Sequence, residues 1–336
     1  MKAVVVERCG EAIWRDVPDP PEPGPHEALV RTTAFMPCNA TDLHIRNCVL
    51  MGATQADCPF LLGHESVGEI IALGSECRYL NVGEQILRPV ISLDGFGSFW
   101  GGMAEYGFAA DRRAHEEDGS PEGPRVLRGH QVTPHEISPA HAATLITLKE
   151  VHAYLHDIRV EEGSRLLVTG HGPVGLAAAY LARKLLGAGP IVIAGRRPEA
   201  AEQAERFGAD AYIDTREANW PQAAAEVLGG MADAICETTG ALSVNEGALS
   251  ILAEDGMLGP YAARTAEQAA EPLPEDERLG PQGPDEGLSH DTLVTATLDG
   301  RIDPEMFITH RLKPEEIGRG FELIEARKAL KIAFEL

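Results

Sequence analysis

A run of closely spaced glycines at residues 170–175, GHGPVG, constrains the fold of this chain more than any other feature. Residues 165–169 before it are a short apolar run typical of a β-strand, and the residues after it have helical spacing. In the G-x-G-x-x-G pattern, Gly170 permits a tight turn, Gly172 lets a pyrophosphate approach the backbone, and Gly175 lets the helix pack closely on the strand. The helix N-terminus adds N–H groups and a positive dipole. The pattern predicts a dinucleotide-binding unit, with a purely structural glycine turn as the alternative.

The regions on either side of this motif differ in their patterning. From residue 165 to residue 261, β-type runs alternate with helical ones, which predicts a parallel sheet built from right-handed βαβ units. Residues 263–290 are acidic and rich in proline, and we expect a long loop there rather than a sixth strand. Before residue 136, short β-type runs separated by proline and glycine predict an irregular β-rich domain. Within it, residues 111–136 are expected to form a surface excursion, and a helix beginning near residue 138 is expected to lead into the second domain.

Composition limits the class of protein and its partners. The 336 residues suffice for two domains, and 44% hydrophobic with 24% charged residues is typical of a globular protein. A formal net charge of −23 argues against nucleic acid or an anionic membrane as a partner. We expect a cytoplasmic protein, because we find neither a long apolar run nor a signal peptide. The six cysteines form no C-x-x-C pair, so we expect mostly reduced thiols rather than a disulfide framework.

Several motifs, in order along the chain, resemble the medium-chain dehydrogenase/reductase superfamily, in its zinc-type alcohol, polyol and threonine dehydrogenase-like branch. They are TDLH (41–44), GHESVGEI (63–70), VGEQI (82–86), GHGPVG (170–175), DAICETTG (233–240) and GRIDPEMFITHRLKPEEIGRGFELI (300–324). The resemblance covers nearly the whole chain and implies an α/β fold of two domains. A GroES-like β-rich catalytic domain would span residues 1–145, completed by 291–336, and a Rossmann cofactor domain with a doubly wound parallel sheet would span 146–290. Relatives often pair subunits near residues 263–290, which implies a homo-oligomer, a dimer or a tetramer.

The resemblance also implies catalytic residues. His64 and Glu65 match the family's Gly-His-Glu motif, where both are zinc ligands. Asp42 fits the carboxylate that orients such a histidine through its other ring nitrogen. Thr41 would hydrogen-bond the substrate hydroxyl, and His44 would help to relay its proton. The predicted catalytic residues are therefore Thr41, His44 and His64.

The third zinc ligand is out of register by one residue. Counting back from Asp42 places Asn39 where the family has its cysteine, and N-x-x-D is also typical of zinc-free, quinone-reductase-like members. A one-residue bulge could turn Cys38 inward. Cys38, His64 and Glu65 would then supply three protein ligands and leave one position of a tetrahedral zinc open.

Two further positions bear on metal binding. Thr147 stands roughly where polyol dehydrogenases have a glutamate, and Glu150, one turn later, is a possible fourth ligand. Residues 88–102 occupy the region of the family's structural-zinc lobe but contain no cysteine, so we expect no structural zinc.

The end of the second predicted strand indicates which nicotinamide cofactor binds. An NAD-selecting protein would place a carboxylate near Gly195, but the chain has Arg196 and Arg197 after this glycine. Guanidinium groups bind phosphate, which favours NADP(H), unless the arginines are only a solvated turn. The predicted cofactor-binding residues are Gly170, Gly172, Pro173, Val174, Gly175, Gly195, Arg196, Arg197 and Thr239.

The function that these features predict is an NADP(H)-dependent oxidoreductase. It would transfer hydride between the nicotinamide and a secondary alcohol or polyol, or the corresponding ketone, with the help of one catalytic zinc. A zinc-free reductase of the quinone or enoyl type is the first alternative. A non-catalytic nucleotide-binding protein is the second, and the intact glycine loop and Gly-His-Glu motif argue against it.

Overall fold

The computed structural model describes residues 1–119 and 128–336, so residues 120–127 of the expected surface excursion lie outside the described part. The chain divides into two compact units. The first unit comprises Met1–Thr147 and His290–Leu336, and the second comprises Leu148–Ser289. These divisions differ from the expected domain boundaries by no more than two residues.

The described residues form sixteen strands and ten α-helices. The strands are β1 (Lys2–Arg8), β2 (Glu11–Asp16), β3 (Glu27–Met36), β4 (Phe60–Leu62), β5 (Glu65–Leu73), β6 (Gln85–Leu87), β7 (Gly97–Phe99), β8 (Tyr106–Ala110), β9 (Val132–Thr133), β10 (Leu166–Thr169), β11 (Ile191–Gly195), β12 (Ala211–Asp214), β13 (Ala232–Glu237), β14 (Leu252–Pro260), β15 (Ile308–Leu312) and β16 (Lys331–Glu335). The helices are α1 (Thr41–Arg46), α2 (Arg112–Glu117), α3 (Pro139–Asp157), α4 (Pro173–Leu181), α5 (Ala201–Arg206), α6 (Trp220–Leu228), α7 (Leu242–Leu249), α8 (Ala266–Ala269), α9 (His290–Leu298) and α10 (Ile317–Glu325).

Two mostly antiparallel sheets make up the first unit. One has the order β2-β1-β4-β7, and the other has the order β15-β16-β3-β5-β6-β9, with β8 also paired to β3. The C-terminal strand β16 pairs with β3, and the rings of Phe334 and Phe35 stack with centroids 5.1 Å apart. Both rings are fully buried, so the tail of the chain completes the core of the first unit.

The second unit confirms the predicted doubly wound architecture. Its five strands are all parallel, in the order β12-β11-β10-β13-β14. The central strand β10 is fully buried, as expected for a strand with helices on both faces of the sheet. Among the described residues, no sixth strand extends this sheet beyond β14, although Leu258 and Leu279 form a single parallel bridge.

Four of the six cysteines are free, in line with the expectation of mostly reduced thiols, but two of them form a disulfide that the sequence did not predict. Cys9 and Cys48 form a disulfide across 39 residues of sequence. Their spacing gives no hint of this pairing, because the fold alone brings the β1–β2 turn beside the end of α1. Cys38, Cys58, Cys77 and Cys236 are free.

Within the described residues, none of the helices combines the length and apolar character needed to span a bilayer.

Candidate functional site

Three potential metal ligands meet in the first unit. The ligand atoms of Cys38, His64 and Glu65 all lie within 4.8 Å of one another. Sheet register explains the meeting, because Met36 at the end of β3 pairs with Glu65 at the start of β5. His64 directly precedes β5, and Cys38 follows β3 by two residues. The structure thus brings together the three residues that the sequence suggested as ligands.

The structure places Cys38, and not Asn39, beside His64 and Glu65. The backbone N–H of Cys38 donates to Asp42 Oδ2 at 2.8 Å, and its sulfur joins the cluster. The side chain of Asn39 leaves in another direction, because its Nδ2 donates to the carbonyl oxygen of Ala329 at 3.1 Å. Asn39 therefore does not occupy the ligand position that counting assigns to it.

A buried carboxylate orients the ring of His64. Its Nδ1 lies 3.0 Å from Oδ1 of the fully buried Asp42, so the ring N–H donates to that carboxylate. Nε2 lies 4.0 Å from Glu65 Oε1, on the side of the cluster. Burial lowers the pKa of His64, but the charge and hydrogen bonds of Asp42 and Cys38 outweigh it and raise the pKa well above its usual value. The surroundings therefore favour a positive charge at this position, whether a proton or a metal cation carries it.

Glu65 has two partners that the sequence did not reveal. Thr147 Oγ1 donates to Oε1 at 3.0 Å, and Lys331 Nζ donates to Oε2 at 2.5 Å. Both charged side chains are almost completely buried, with Lys331 only 2% exposed. Thr147, which stands roughly where polyol dehydrogenases have a glutamate, thus orients Glu65 in this chain. The one available signal for Lys331 was a lysine opening the otherwise apolar terminal run KIAF.

Glu150 belongs to the second unit. Its Oε2 accepts a hydrogen bond from Tyr261 Oη at 3.1 Å. Its part in metal binding stays a prediction.

Helix α1 carries the two predicted proton-handling residues. Thr41 is its first residue, and Asp42, which orients His64, is its second. His44 is half-buried, and burial lowers the pKa of its ring. Its Nδ1 is buried and has no hydrogen-bond partner among the described residues. A neutral imidazole with an unsatisfied buried nitrogen is suited to receive a proton or bind a ligand group.

The glycine loop has the steric pattern that the sequence predicts. Gly170 has φ +97°, and a Cβ there would lie 2.3 Å from Thr238 Oγ1. A Cβ at Gly175 would lie 2.1 Å from the carbonyl oxygen of Gly170. At Gly172, the N-cap of α4, a Cβ would meet no described atom within 4 Å. The loop is therefore tight where it packs and open at the helix N-terminus, where Pro173 and Val174 begin α4.

Gly195, the last residue of β11, has no room for a side chain. A Cβ at Gly195 would lie 2.5 Å from His171 Nδ1 and 2.5 Å from Tyr212 Oη. These two residues also hold Arg197: Tyr212 Oη accepts its backbone N–H at 2.9 Å, and His171 Nε2 accepts its Nε–H at 2.5 Å. Arg196 is exposed. Sequence reasoning missed the partnership of His171 and Tyr212, which no local motif encodes.

Thr239 lies just after β13 and contacts a buried acid. Its Oγ1 and its backbone N–H both donate to Glu237 Oε1, at 2.5 and 2.6 Å. Glu237 also accepts from Thr169 Oγ1 at 3.3 Å, which ties the ends of β10 and β13 together. Glu237 fixes the geometry of this loop, and it too was missed.

Comparison with known proteins agrees with both units. The alcohol dehydrogenase GroES-like domain family matches residues 24–117, and the zinc-binding dehydrogenase family matches residues 173–277. The chain is 29% identical to the NADP-dependent isopropanol dehydrogenase of Thermoanaerobacter brockii, covering 97% of this chain and 94% of that protein. It is 24% identical to the sorbitol dehydrogenase of Halalkalibacterium halodurans, covering 99% and 98%.

A solved structure shows the same fold. The alcohol dehydrogenase TADH from Thermus sp. ATN1 superimposes with a TM-score of 0.79 at 24% identity, covering 100% of this chain and 99% of that one. The two domain matches, the full-length relatives and the fold agree with the order of motifs along the sequence. The chain belongs to the zinc-type medium-chain dehydrogenase/reductase superfamily.

Proposed function

We propose that this protein is an NADP(H)-dependent, zinc-assisted dehydrogenase of secondary alcohols or polyols, which also reduces the corresponding ketones. The observation that carries the proposal is the convergence of Cys38, His64 and Glu65 in the first unit. Two of the relatives that match along almost their whole length are named as an NADP-dependent isopropanol dehydrogenase and a sorbitol dehydrogenase.

The donor set fits a zinc ion. A thiolate, an imidazole nitrogen and a carboxylate are the ligand types of catalytic zinc sites, which keep a fourth position open for water or substrate. Asp42 fixes the tautomer of His64 and leaves Nε2 for the metal. The Cys38 thiolate and the carboxylates of Glu65 and Asp42 would together concentrate negative charge in this buried place. Lys331 offsets part of that charge.

When bound, zinc would polarise the substrate oxygen and lower the pKa of the alcohol. The residues of the chain would then position the substrate and move its proton. Thr41 would hydrogen-bond the substrate hydroxyl and pass its proton towards His44. Because burial lowers the pKa of His44, its ring is neutral near pH 7 and can accept that proton.

Recognition of the cofactor follows from the glycine loop and the end of β11. The pyrophosphate would approach Gly172, where the backbone is open and the α4 N-terminus points its N–H groups. The 2′-phosphate would bind the guanidinium groups of Arg196 and Arg197, since Gly195 supplies no carboxylate to repel it. Arg197 is the stronger candidate, because His171 and Tyr212 hold it in place.

A zinc-free reductase of the same superfamily is the second candidate. The ion pair between Lys331 and Glu65 favours it, because a lysine satisfies that carboxylate without a metal. Such an enzyme would polarise an activated carbonyl or alkene by hydrogen bonding alone.

Metal analysis combined with NADPH titration and substrate turnover separates the candidates. The proposal predicts one zinc at the Cys38 cluster, tight NADPH binding and oxidation of secondary alcohols. Tight NADPH binding with turnover of enones in metal-free protein would establish the second candidate instead. NADPH binding with no turnover on alcohols, ketones or enones would refute both.

A further inference from the structure

Three other cysteines meet at a second place in the first unit. The sulfurs of Cys9, Cys48 and Cys58 all lie within 4.8 Å of one another, and each residue is half-buried. Cys9 and Cys48 are joined as a disulfide, and Cys58 is a free thiol beside them. The proposed reaction uses none of these residues. We call the three residues the thiol cluster.

The backbone around the thiol cluster is held in place. Cys9 lies in the β1–β2 turn, and its N–H donates to Gln55 Oε1 at 3.1 Å. Cys48 follows α1 by two residues, and its N–H donates to the carbonyl oxygen of Ile45 at 2.8 Å. Cys58 precedes β4 by two residues. The three sulfurs therefore come from three fixed segments rather than from one flexible loop.

The surroundings of Cys58 favour a cation over a free thiolate. The carboxylates of Asp57 and Glu7 place negative charge beside its sulfur. Asp57 is bound to the N–H and Oγ1 of Thr54, and Glu7 is paired with Arg15, so both are already oriented. A bound metal ion would relieve the repulsion that these carboxylates exert on thiolates.

We propose that the thiol cluster, once its disulfide is reduced, is a second metal site that takes one thiophilic d¹⁰ cation such as Zn²⁺ or Cd²⁺. Sulfurs around a tetrahedral zinc lie about 3.8 Å apart, given Zn–S bonds of about 2.3 Å. The 4.8 Å limit on the three sulfurs and the 5.5 Å between the Cα atoms of Cys9 and Cys48 are compatible with that spacing. Water would fill the fourth position.

The chemistry balances with a dithiol as reductant. The dithiol passes two electrons and two protons to the Cys9–Cys48 disulfide and becomes a disulfide itself, which leaves three thiols in the protein. Binding of one divalent cation then forms three metal–sulfur bonds and releases three protons to solvent. The reverse exchange uses the oxidised dithiol as the oxidant: it takes two electrons from Cys9 and Cys48, whose disulfide closes again, and becomes the dithiol. Two of the three ligands are then lost and the cation leaves, while three protons are taken up from solvent, two by the dithiol and one by Cys58. The site is therefore gated by redox state.

This site would act on the segment between residues 48 and 58. That segment is anchored at one end beside α1, which carries Thr41 and His44, and at the other end beside β4. A cation bound by Cys48 and Cys58 would tie both anchors together, whereas the disulfide ties only Cys48 to the β1–β2 turn. The redox state of the cluster would thereby reach the predicted proton-handling helix.

Counting bound cadmium or zinc per chain tests the proposal. Full-length protein is treated with dithiothreitol, freed of it without air, loaded with Cd²⁺, desalted and compared with untreated protein. We expect the reduced chain to bind one more ion than the oxidised chain, with added thiolate-to-cadmium absorption in the ultraviolet. Cys58→Ser should abolish the increment, and Cys77→Ser, which changes another half-buried free cysteine, should retain it.

Cys38→Ser separates this site from the proposed catalytic one, because it should lower the total count but keep the redox-dependent increment. The proposal is overturned if reduction adds no ion to the wild-type chain, or if Cys58→Ser keeps the increment. Since the oxidised and reduced wild-type proteins are compared directly, the test does not depend on any variant folding well.

Discussion

Arg197→Ala is the sharpest test of how the cofactor is selected. In the structure, His171 Nε2 and Tyr212 Oη hold the side chain and backbone of Arg197. A charge-assisted hydrogen bond contributes about 1.5–3 kcal/mol, and an ordered guanidinium pays little entropy to make it. We therefore expect NADPH affinity to fall by roughly 10- to 150-fold, since each 1.4 kcal/mol is a factor of ten. NADH lacks the 2′-phosphate, so its affinity should stay within about twofold.

Fluorescence titration with both cofactors measures the effect. Arg206→Ala is the matched control, because it removes an exposed arginine from α5 and should change neither affinity. Tyr212→Phe should weaken NADPH binding in the same sense, by a smaller factor, because it removes the acceptor of the Arg197 backbone N–H. If Arg197→Ala weakens NADPH and NADH equally, or weakens neither, the proposed phosphate site is wrong.

Three further predictions follow from close contacts. Gly175→Ala should destabilise the fold by about 1–3 kcal/mol, because its Cβ would lie 2.1 Å from the carbonyl oxygen of Gly170. Gly172→Ala should leave the melting temperature unchanged and weaken the binding of both NADPH and NADH. Equal shifts of the melting temperature in the two variants would contradict this. Gly195→Asp should not create an NAD enzyme, because its Cβ would clash with two side chains, so a gain in NADH affinity on titration would refute the steric argument. Lys331→Met should lower the free energy of unfolding of the metal-free protein by about 3–5 kcal/mol, because it leaves the buried Glu65 carboxylate without its ion pair. Denaturant unfolding measures this loss, with Lys331→Arg as the control. A loss below about 1 kcal/mol would contradict the role of the pair.

The parts of the fold that the sequence predicted are encoded locally. The strand, glycine loop and helix around residues 165–181 each have their own periodicity or turn chemistry, so the parallel sheet could be anticipated. The steric roles of Gly170 and Gly175 follow from the same short stretch, and the structure reproduces them. His64 and Glu65 were identified for a similar reason, because their motif is contiguous.

The contacts that sequence reasoning missed join residues far apart in the chain. Lys331 meets Glu65 across 266 residues, and Cys9 meets Cys48 across 39, through tertiary contacts that no local pattern specifies. Counting residues could not decide between Cys38 and Asn39 for another reason. The count assumes a regular backbone, whereas the geometry just after β3 decides which side chain turns into the cluster. The position of the Cys38 sulfur beside His64 and Glu65, and the hydrogen bond of the Asn39 side chain to Ala329, show which residue turns inward.

The zinc content of the oxidised protein, with and without Cys38, tests the central claim most directly. Keeping the Cys9–Cys48 disulfide closed confines the measurement to the Cys38, His64 and Glu65 cluster. We predict one zinc per chain in the wild type and in the Cys77→Ser control. Cys38→Ser should lose the zinc together with NADP⁺-dependent oxidation of a secondary alcohol. A Cys38→Ser protein that keeps its zinc, or one that lacks zinc but oxidises the alcohol at the wild-type rate, would contradict the account.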